Sequence, residues 1–400
     1  MISVEAAEKI ILAESKDYGI ESIYFENALG RVLAENIYAD RDLPPYNRVT
    51  MDGIAINYAA IENDVRCFKI IATQAAGDKP LEINHPSECI EIMTGAALPS
   101  TTDTVIRYED VQIENGNAIV IAENISKGQS VHFRGTDIKQ NEIAITANQF
   151  ITPAFINTIG SVGKTNLVVK KLPKTVIISS GDELIDVEAT PNAFQIRKSN
   201  NYTIKAVLQQ YKLDADMIHI PDDAAITKQQ IEKCLQQYDV IILSGGVSEG
   251  KFDYIPKALD ECGVKKLFHK VQQRPGKPFW FGKHDNGVLV FAFPGNPVSA
   301  FMCLHRYFLP WLKKSLEVSK ENIYAILSED FIFKPQLQYF LQVKLQVNEK
   351  GCLIAKPVAG NGSGDFANLV DTDAFMELPL ERNEFKKGEV FRVWTFAPIQ

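Results

Sequence analysis

The sequence predicts a multidomain α/β plus β protein, in which a parallel-sheet α/β region lies between a β-rich module and a small carboxy-terminal β-domain. Three observations predict it. Between residues 172 and about 312, apolar strands alternate with helical stretches at the spacing of crossover units. On either side, short β-like runs are separated by Gly, Pro, Asn and Asp. Four hundred residues also exceed what one hydrophobic core usually organises, so two to four domains are expected.

The elements follow in order. Residues 3–15 have helical apolar spacing, with Ser3 as N-cap. Residues 40–50, rich in proline and polar side chains, read as a linker or domain edge. Between residues 54 and 145 the runs CFKIIAT, ECIEIMT, TDTVIRYEDV and NAIVIA predict a β-rich module. In the α/β region the strands TVIIS, DADMIHI, DVIILS and GVLVFAF are interleaved with the helices NYTIKAVLQQY and AAITKQQIEKCLQQY. Such an alternation implies a parallel sheet with crossover helices. The last ~75 residues return to β runs: YFLQVKLQVN, CLIAKPV, DAFMELP and EVFRVWTF.

Composition narrows the class. With 46% hydrophobic and 23% charged residues the chain reads as a soluble globular protein. Its six cysteines form no C-x-x-C pair, which argues against a zinc ribbon and a disulfide framework. The first fifteen residues lack the pattern of a signal peptide. No apolar run reaches the ~18–20 residues that cross a bilayer, so a cytoplasmic protein without a membrane partner is expected. A net charge of −8 argues against nucleic acid, yet leaves room for a local anion site.

Three loops follow strands directly: 179–184 (SSGDEL), 244–251 (SGGVSEGK) and 294–299 (PGNPVS). In such sheets ligands sit beyond the carboxyl ends of the strands. Glycines there let backbone N–H groups approach a ligand, and a following helix start favours anions. Each loop alone is equally an ordinary strand-to-helix turn. The middle loop matches most of a Walker A motif, but Phe252 stands where Ser or Thr must reach magnesium. It also fits the G-x-S-x-G elbow of α/β-hydrolases. That keeps open a serine hydrolase using Ser248 with His269, His284 or His305, although His305 lies in an apolar helical run.

Carboxylates at turns are the other candidates: Asp52, Asp137, Asp182, Glu183, Asp222 and Asp253. Any one of them is as readily a cap or a turn former. Facing phosphates, they make sense with a divalent cation between. Arg134 precedes Gly135, and Arg274 and Lys277 flank a Pro-Gly turn suited to oxyanions. Lys251 reads equally as solvated surface.

The segments LPPYNRVTMDGIAI, IMTGAALP, FRGTDI, ISSGDEL, the pair Ser199-Asn200, LSGGVSEGKFDY, RPGKPFWFG, FPGNPVSA and GSGDF occur in this order. In them the chain resembles the molybdopterin molybdotransferases, the molybdenum insertases related to the gephyrin E domain. The α/β region alone is shared with the family's adenylyltransferase and with competence-damage-type proteins; the MDG and MTGA segments separate the insertase from both.

The resemblance implies four parts. Residues 1–45 and 140–170 would form an elongated scaffold and 46–139 a β-rich inserted module. Residues 171–318 would form the molybdopterin-binding α/β domain and 319–400 the terminal β-domain. It implies insertion of molybdenum from molybdate into adenylylated molybdopterin, with release of AMP. It further implies Mg²⁺ as cofactor and a homodimer whose subunits share the active site. Transient contact with the adenylyltransferase and acceptor molybdoenzymes would follow.

Matched by motif, Asp52, Glu183, Asp253 and Lys277 would be catalytic, with Asp253 and Glu183 holding the metal. Thr94, Asp137, Asp222, Ser244, Gly245, Gly246, Ser248, Gly250, Arg274, Pro294, Pro297 and Ser363 would bind substrate. The loop 245–250 would take the phosphates, and molybdate would enter near Arg274 and Lys277. Lys198, Arg274 and Asp365, with Glu249 and Lys251, depart from the family pattern. A non-catalytic pterin-binding scaffold is the remaining rival; the retained set of Asp52, Glu183 and Asp253 argues against it.

Overall fold

Six strands form the sheet of the α/β region: β1 (Thr175–Ser180), β2 (Ala215–Ile220), β3 (Val240–Ser244), β4 (Val264–His269), β5 (Trp280–His284) and β6 (Leu289–Phe293). Their order in the computed structural model, which describes residues 1–247, 254–319, 322–358, 360, 362 and 364–397, is β2-β1-β3-β6-β5-β4. The four strands read from the sequence pair in parallel. Two further strands, which the reading had not separated from the RPGKPFWFG turn and its surroundings, extend the sheet in antiparallel sense. The reason is local. Between β5 and β6 the chain reverses within a few residues, where Gly287 at φ 93° donates its N–H to the His284 carbonyl. So short a link makes a hairpin, whereas a parallel neighbour needs a long crossover.

Helices cover both faces of this sheet: α1 (Ser199–Gln210), α2 (Ala224–Gln237), α3 (Ile255–Glu261) and α4 (Pro297–Cys303). α4 runs on through a π turn, Leu304–Phe308, into α5 (Leu309–Ser315). Period-two alternation divides the strands between two cores. Ile177, Ile242 and Phe291 pack with Ile204 and Leu208 of α1 and with Trp311 of α5. Val176, Ile178, Ile241, Leu243 and Val290 face Ile231 of α2 and Leu259 of α3. Strands buried on both faces are apolar throughout, which explains the unbroken VIIL of β3.

The chain divides into two units. The first, residues 1–34, 148–152 and 167–400, contains this sheet and the amino-terminal helix Val4–Ala13. Ser3 caps that helix as expected, its Oγ accepting from the Ala6 N–H at 3.1 Å. It also contains a second six-stranded sheet, in which Ile323–Leu327, Gln338–Val347, Leu353–Pro357, Ala374–Leu378 and Val390–Thr395 are joined by the short strand Gln273–Arg274. The RPGKP segment thus begins in the carboxy-terminal sheet, pairing with Gln338 and Tyr339.

The second unit, residues 35–147 and 153–166, holds a six-stranded sheet running from Thr104–Arg107 through Gly53–Ile56 to Val111–Glu114. Gly53 is required there, because a Cβ would lie 1.9 Å from the Ile106 carbonyl oxygen. The 40–50 segment, read as a linker, includes a short strand: Arg48 and Val49 pair with His132 and Val131. Among the described residues no helix is long and apolar enough to cross a membrane.

Candidate functional site

Ser179, Ser244 and Phe293 stand level in the register of β1, β3 and β6. The loops that follow these strands therefore open on one edge of the sheet, at the carboxyl ends of parallel strands. A cleft of about 940 Å³ lies between them, lined by Glu183, Ser244, Gly245, Gly246, Pro294 and Pro297. All six had been singled out in the sequence.

Backbone geometry makes the cleft floor. Gly245 and Gly246 have φ of 95° and 67°, a region side-chain-bearing residues rarely adopt. A Cβ on Gly246 would meet Ile255 Cδ1 and Ser180 Oγ at 2.6 Å, and one on Gly295 would sit 3.4 Å from Gly245 Cα. The first and third loops thus close tightly around the middle one. Asn200 ties two of them together, its Nδ2 donating to Ser244 Oγ at 2.9 Å and to the Gly295 carbonyl at 2.8 Å.

The electrostatics favour an anion with one carboxylate beside it. Ser199 and Asn200, the first residues of the twelve-residue α1, line the cleft, so the positive end of that helix faces it. Arg197 and Lys198 line it too. Lys198 Nζ pairs with Asp186 Oδ1 at 2.6 Å, and this lysine holds the Asp186 carboxyl below its ordinary value. Glu183 contributes a carboxylate that folds back over Gly181, so that a Cβ there would lie 2.3 Å from Glu183 Oε2. Beneath the rim, buried Asn201 donates to Ser179 Oγ at 3.1 Å, which is 3.2 Å from His219 Nδ1. Burial, and then the Lys198 charge, push His219 below its ordinary value.

The other candidates lie elsewhere. Asp222 does not line the cleft. Its N–H donates to Asp182 Oδ1 at 3.1 Å while Asp182 N–H donates to Asp222 Oδ2 at 3.4 Å, joining the loops after β1 and β2. Arg274 and Lys277 are exposed outside the lining, to which their segment contributes only Pro278 among the described residues. In the second unit, Asp52 Oδ1 accepts from Thr94 N–H at 2.6 Å and Thr94 Oγ1 at 2.7 Å. Those bonds hold the Asp52 carboxyl below the usual range. Asp137 Oδ1 lies 2.9 Å from His132 Nε2, whose other ring nitrogen is 3.1 Å from Arg48. Ser248, Gly250, Asp253 and Ser363 lie outside the described residues.

Lys198, Asn200 and Phe366 are among the cleft residues absent from the candidate set. Lys198 had been noted only as a departure, Asn200 only as part of a motif, and Phe366 reaches the cleft from the carboxy-terminal part of the chain. None is marked for the cleft by its own local pattern, although Asn200 and Phe366 fall within quoted motifs, because each is defined by what it faces.

The hydrolase histidines are otherwise engaged. His269 Nε2 lies 3.2 Å from the Val247 carbonyl, which can only accept, so that nitrogen carries a proton and cannot take one. His305 is buried with Nδ1 at 2.9 Å from the Phe301 carbonyl, and His284 caps the β5–β6 turn through Asn286 N–H.

Residues 2–163 match the MoeA N-terminal region (domain I and II), 176–314 a probable molybdopterin binding domain, and 324–396 the MoeA C-terminal region (domain IV). A molybdopterin molybdenumtransferase of Synechocystis is 39% identical, the match covering 98% of this chain and 99% of the relative. One from Staphylococcus epidermidis is 29% identical over 98% of this chain and 95% of its own length. A crystal structure of the molybdopterin biosynthesis MoeA protein of Pyrococcus horikoshii superposes with a TM-score of 0.84 at 25% identity, covering 99% of this chain and all of that one. On this full-length similarity, the chain belongs to the molybdopterin molybdenumtransferase family.

Proposed function

We propose that this chain inserts molybdenum from molybdate into adenylylated molybdopterin, releasing AMP and molybdenum cofactor. The observation that carries the reading is the cleft at the carboxyl ends of β1, β3 and β6. Its glycine floor and helix start suit phosphate, and its ≈ 940 Å³ suits a pterin nucleotide. Family membership supplies the reaction class. Neither a serine hydrolase nor a non-catalytic scaffold is supported.

The phosphates rest on the Gly245 and Gly246 backbone, with Ser199, Asn200 and Lys198 around them. The pterin sulfurs are the ligands of the incoming metal, so the protein needs no nucleophile; it orients and stabilises charge. Arg274 and Lys277 provide the entry for molybdate. Mg²⁺ fits Glu183, a hard oxygen donor on the lining, and Asp253 would complete its protein ligands. When bound, such an ion neutralises phosphate charge and assists departure of AMP. Asp52, Thr94, Asp137 and Ser363 complete the substrate site in a homodimer whose subunits share it, with Asp222 supporting the Glu183 loop. The four-part division at 1–45 with 140–170, 46–139, 171–318 and 319–400 accompanies this reading, as does a cytoplasmic setting.

The test is reconstitution with adenylylated molybdopterin and molybdate, scoring AMP release and molybdenum transfer together. Glu183→Gln and Asp253→Ala are expected to lower both by about 10²–10³-fold, the effect of removing one charge-stabilising group. Wild-type rates in both variants would refute the metal-site assignment, and failure of the wild-type chain to couple the two products would refute the activity.

A further inference from the structure

Away from the cleft, a second cavity of about 350 Å³ lies between α5 and the carboxy-terminal sheet. Its walls are apolar at Leu309, Val318 and Val393 and aromatic at Tyr211 and Trp394. Three cations stand on it, Lys313, Lys314 and Arg392, and among the described residues no aspartate or glutamate does. In a chain of net charge −8 that is a pronounced local reversal.

The cations differ in their commitments. Lys314 Nζ donates to the Leu12 carbonyl at 2.8 Å. Lys313 Nζ stands 5.6 Å from the centre of the Tyr211 ring. The half-buried Arg392 guanidinium stands over Trp394, 3.8 Å from the ring centre, and no hydrogen bond or ion pair from the described residues reaches it. The neighbouring carboxylates are taken. Glu8 binds Arg306 Nη2 at 2.9 Å, while Glu377 receives Arg306 at 3.2 Å, Gln338 Nε2 at 2.7 Å and Trp394 Nε1 at 2.7 Å. Burial, and next the Arg306 charge, push Arg392 below its ordinary value. Arginine nevertheless stays charged in proteins, so the guanidinium remains a cation on the cavity wall.

His305 also lines the cavity. It sits in the π turn that interrupts the α4–α5 run, an irregularity often found at functional positions. Its Nδ1 lies 2.9 Å from the Phe301 carbonyl.

We propose that this cavity binds a small organic anion, its oxyanion head on Arg392 with Lys313 nearby and its ring-sized apolar body against Trp394 and Val393. The volume is at the small end of ligand cavities, which span ~300–1,000 Å³, and so selects a one- or two-ring molecule. Carboxylate and phosphate monoester heads both match a planar, five-donor guanidinium. The site is separate from the transferase cleft, and the proposal does not rest on the transferase reading.

The test uses 1-naphthoate, 1-naphthyl phosphate and the neutral 1-naphthalenemethanol, each titrated calorimetrically into the full-length protein. At least one charged probe is expected to bind about tenfold or more tightly than the neutral one, the scale of a charge-assisted hydrogen bond. The better of the two charged probes identifies the head group. Arg392→Gln should remove that preference and Lys313→Gln should reduce it. Equal affinity for charged and neutral probes in the wild-type protein overturns the proposal without recourse to any variant. So does the lack of saturation by either anion below about 1 mM, or a preference that survives in folded Arg392→Gln.

Discussion

Two donors of Thr94 converge on a single oxygen of Asp52, and this arrangement, more than any charge, sets how that carboxyl titrates. Its lowered pKa means the ionised form is the one the fold favours. The interaction is complete above the ordinary value of 3.8 and is lost as pH falls through the lowered one. Thr94→Val removes the hydroxyl and keeps the N–H, so the Asp52 carboxyl should move up toward 3.8, as followed by carbon NMR of the labelled carboxyl. An unmoved titration would contradict the assignment. Gly246 is the second residue whose chemistry is fixed by geometry. Gly246→Ala puts a Cβ at φ 67° and 2.6 Å from two side-chain atoms. It should cost about 1–2 kcal/mol from the backbone conformation alone, read by urea denaturation, with weakened pterin-nucleotide binding. Asp52 and Gly246 were both legible in the sequence, because a turn carboxylate and a paired glycine after a strand are local patterns. Lys198 was not, since only its ion pair with Asp186 on the cleft wall gives it meaning.

Helix ends carry chemistry of their own. Asp223 begins α2 with its Oδ1 accepting from Ile226 N–H at 2.8 Å. Replacing it by Ala should lower stability by about 1 kcal/mol and by Asn far less, since Asn is an equivalent cap. Equal losses in chemical denaturation would show that the charge and not the cap matters. Between α4 and α5 the run AFMCLHRYF reads as apolar helix, yet the chain makes a π turn at Leu304–Phe308. That turn sets His305 in a buried place where desolvation drives its pKa down to about 4 from an ordinary 6.5. The neutral form is thus favoured by the fold, and its contribution is complete above 6.5. As pH drops toward 4 the unfolded chain takes up the proton first. Stability should therefore fall by roughly 3 kcal/mol over that window on account of this one residue. His305→Gln should flatten the slope of unfolding free energy against pH between those limits.

At the scale of the molecule, the first unit alone contains the glycine cleft, and the Asp52–Thr94 pair belongs to the second. The proposed shared-site dimer makes a direct prediction. Asp52→Ala and Glu183→Ala chains, each inactive alone, should regain activity when unfolded and refolded together. Mixed dimers carry one intact site, giving roughly a quarter of the wild-type rate for random pairing of the two chains. No recovery, with mixed dimers demonstrated by tagging, would place both residues in one subunit's site.

The sequence by itself determined the alternation of strands and helices, the parallel core, the Ser3-capped first helix and the glycine loops. Each of these follows from periodicity or from a residue's own backbone preferences, which act over a few positions. It also carried the family, through motifs kept in order. Only the tertiary structure decided the rest. The β5–β6 hairpin turned part of the sheet antiparallel. The register of β1, β3 and β6 brought three loops to one edge, and Asn200 bridged two of them across 44 and 95 residues. Arg274 was carried into the carboxy-terminal sheet and away from the cleft lining. Proximity between distant segments is set by packing two apolar faces of one sheet, and no local pattern encodes which far-off side chain will stand opposite.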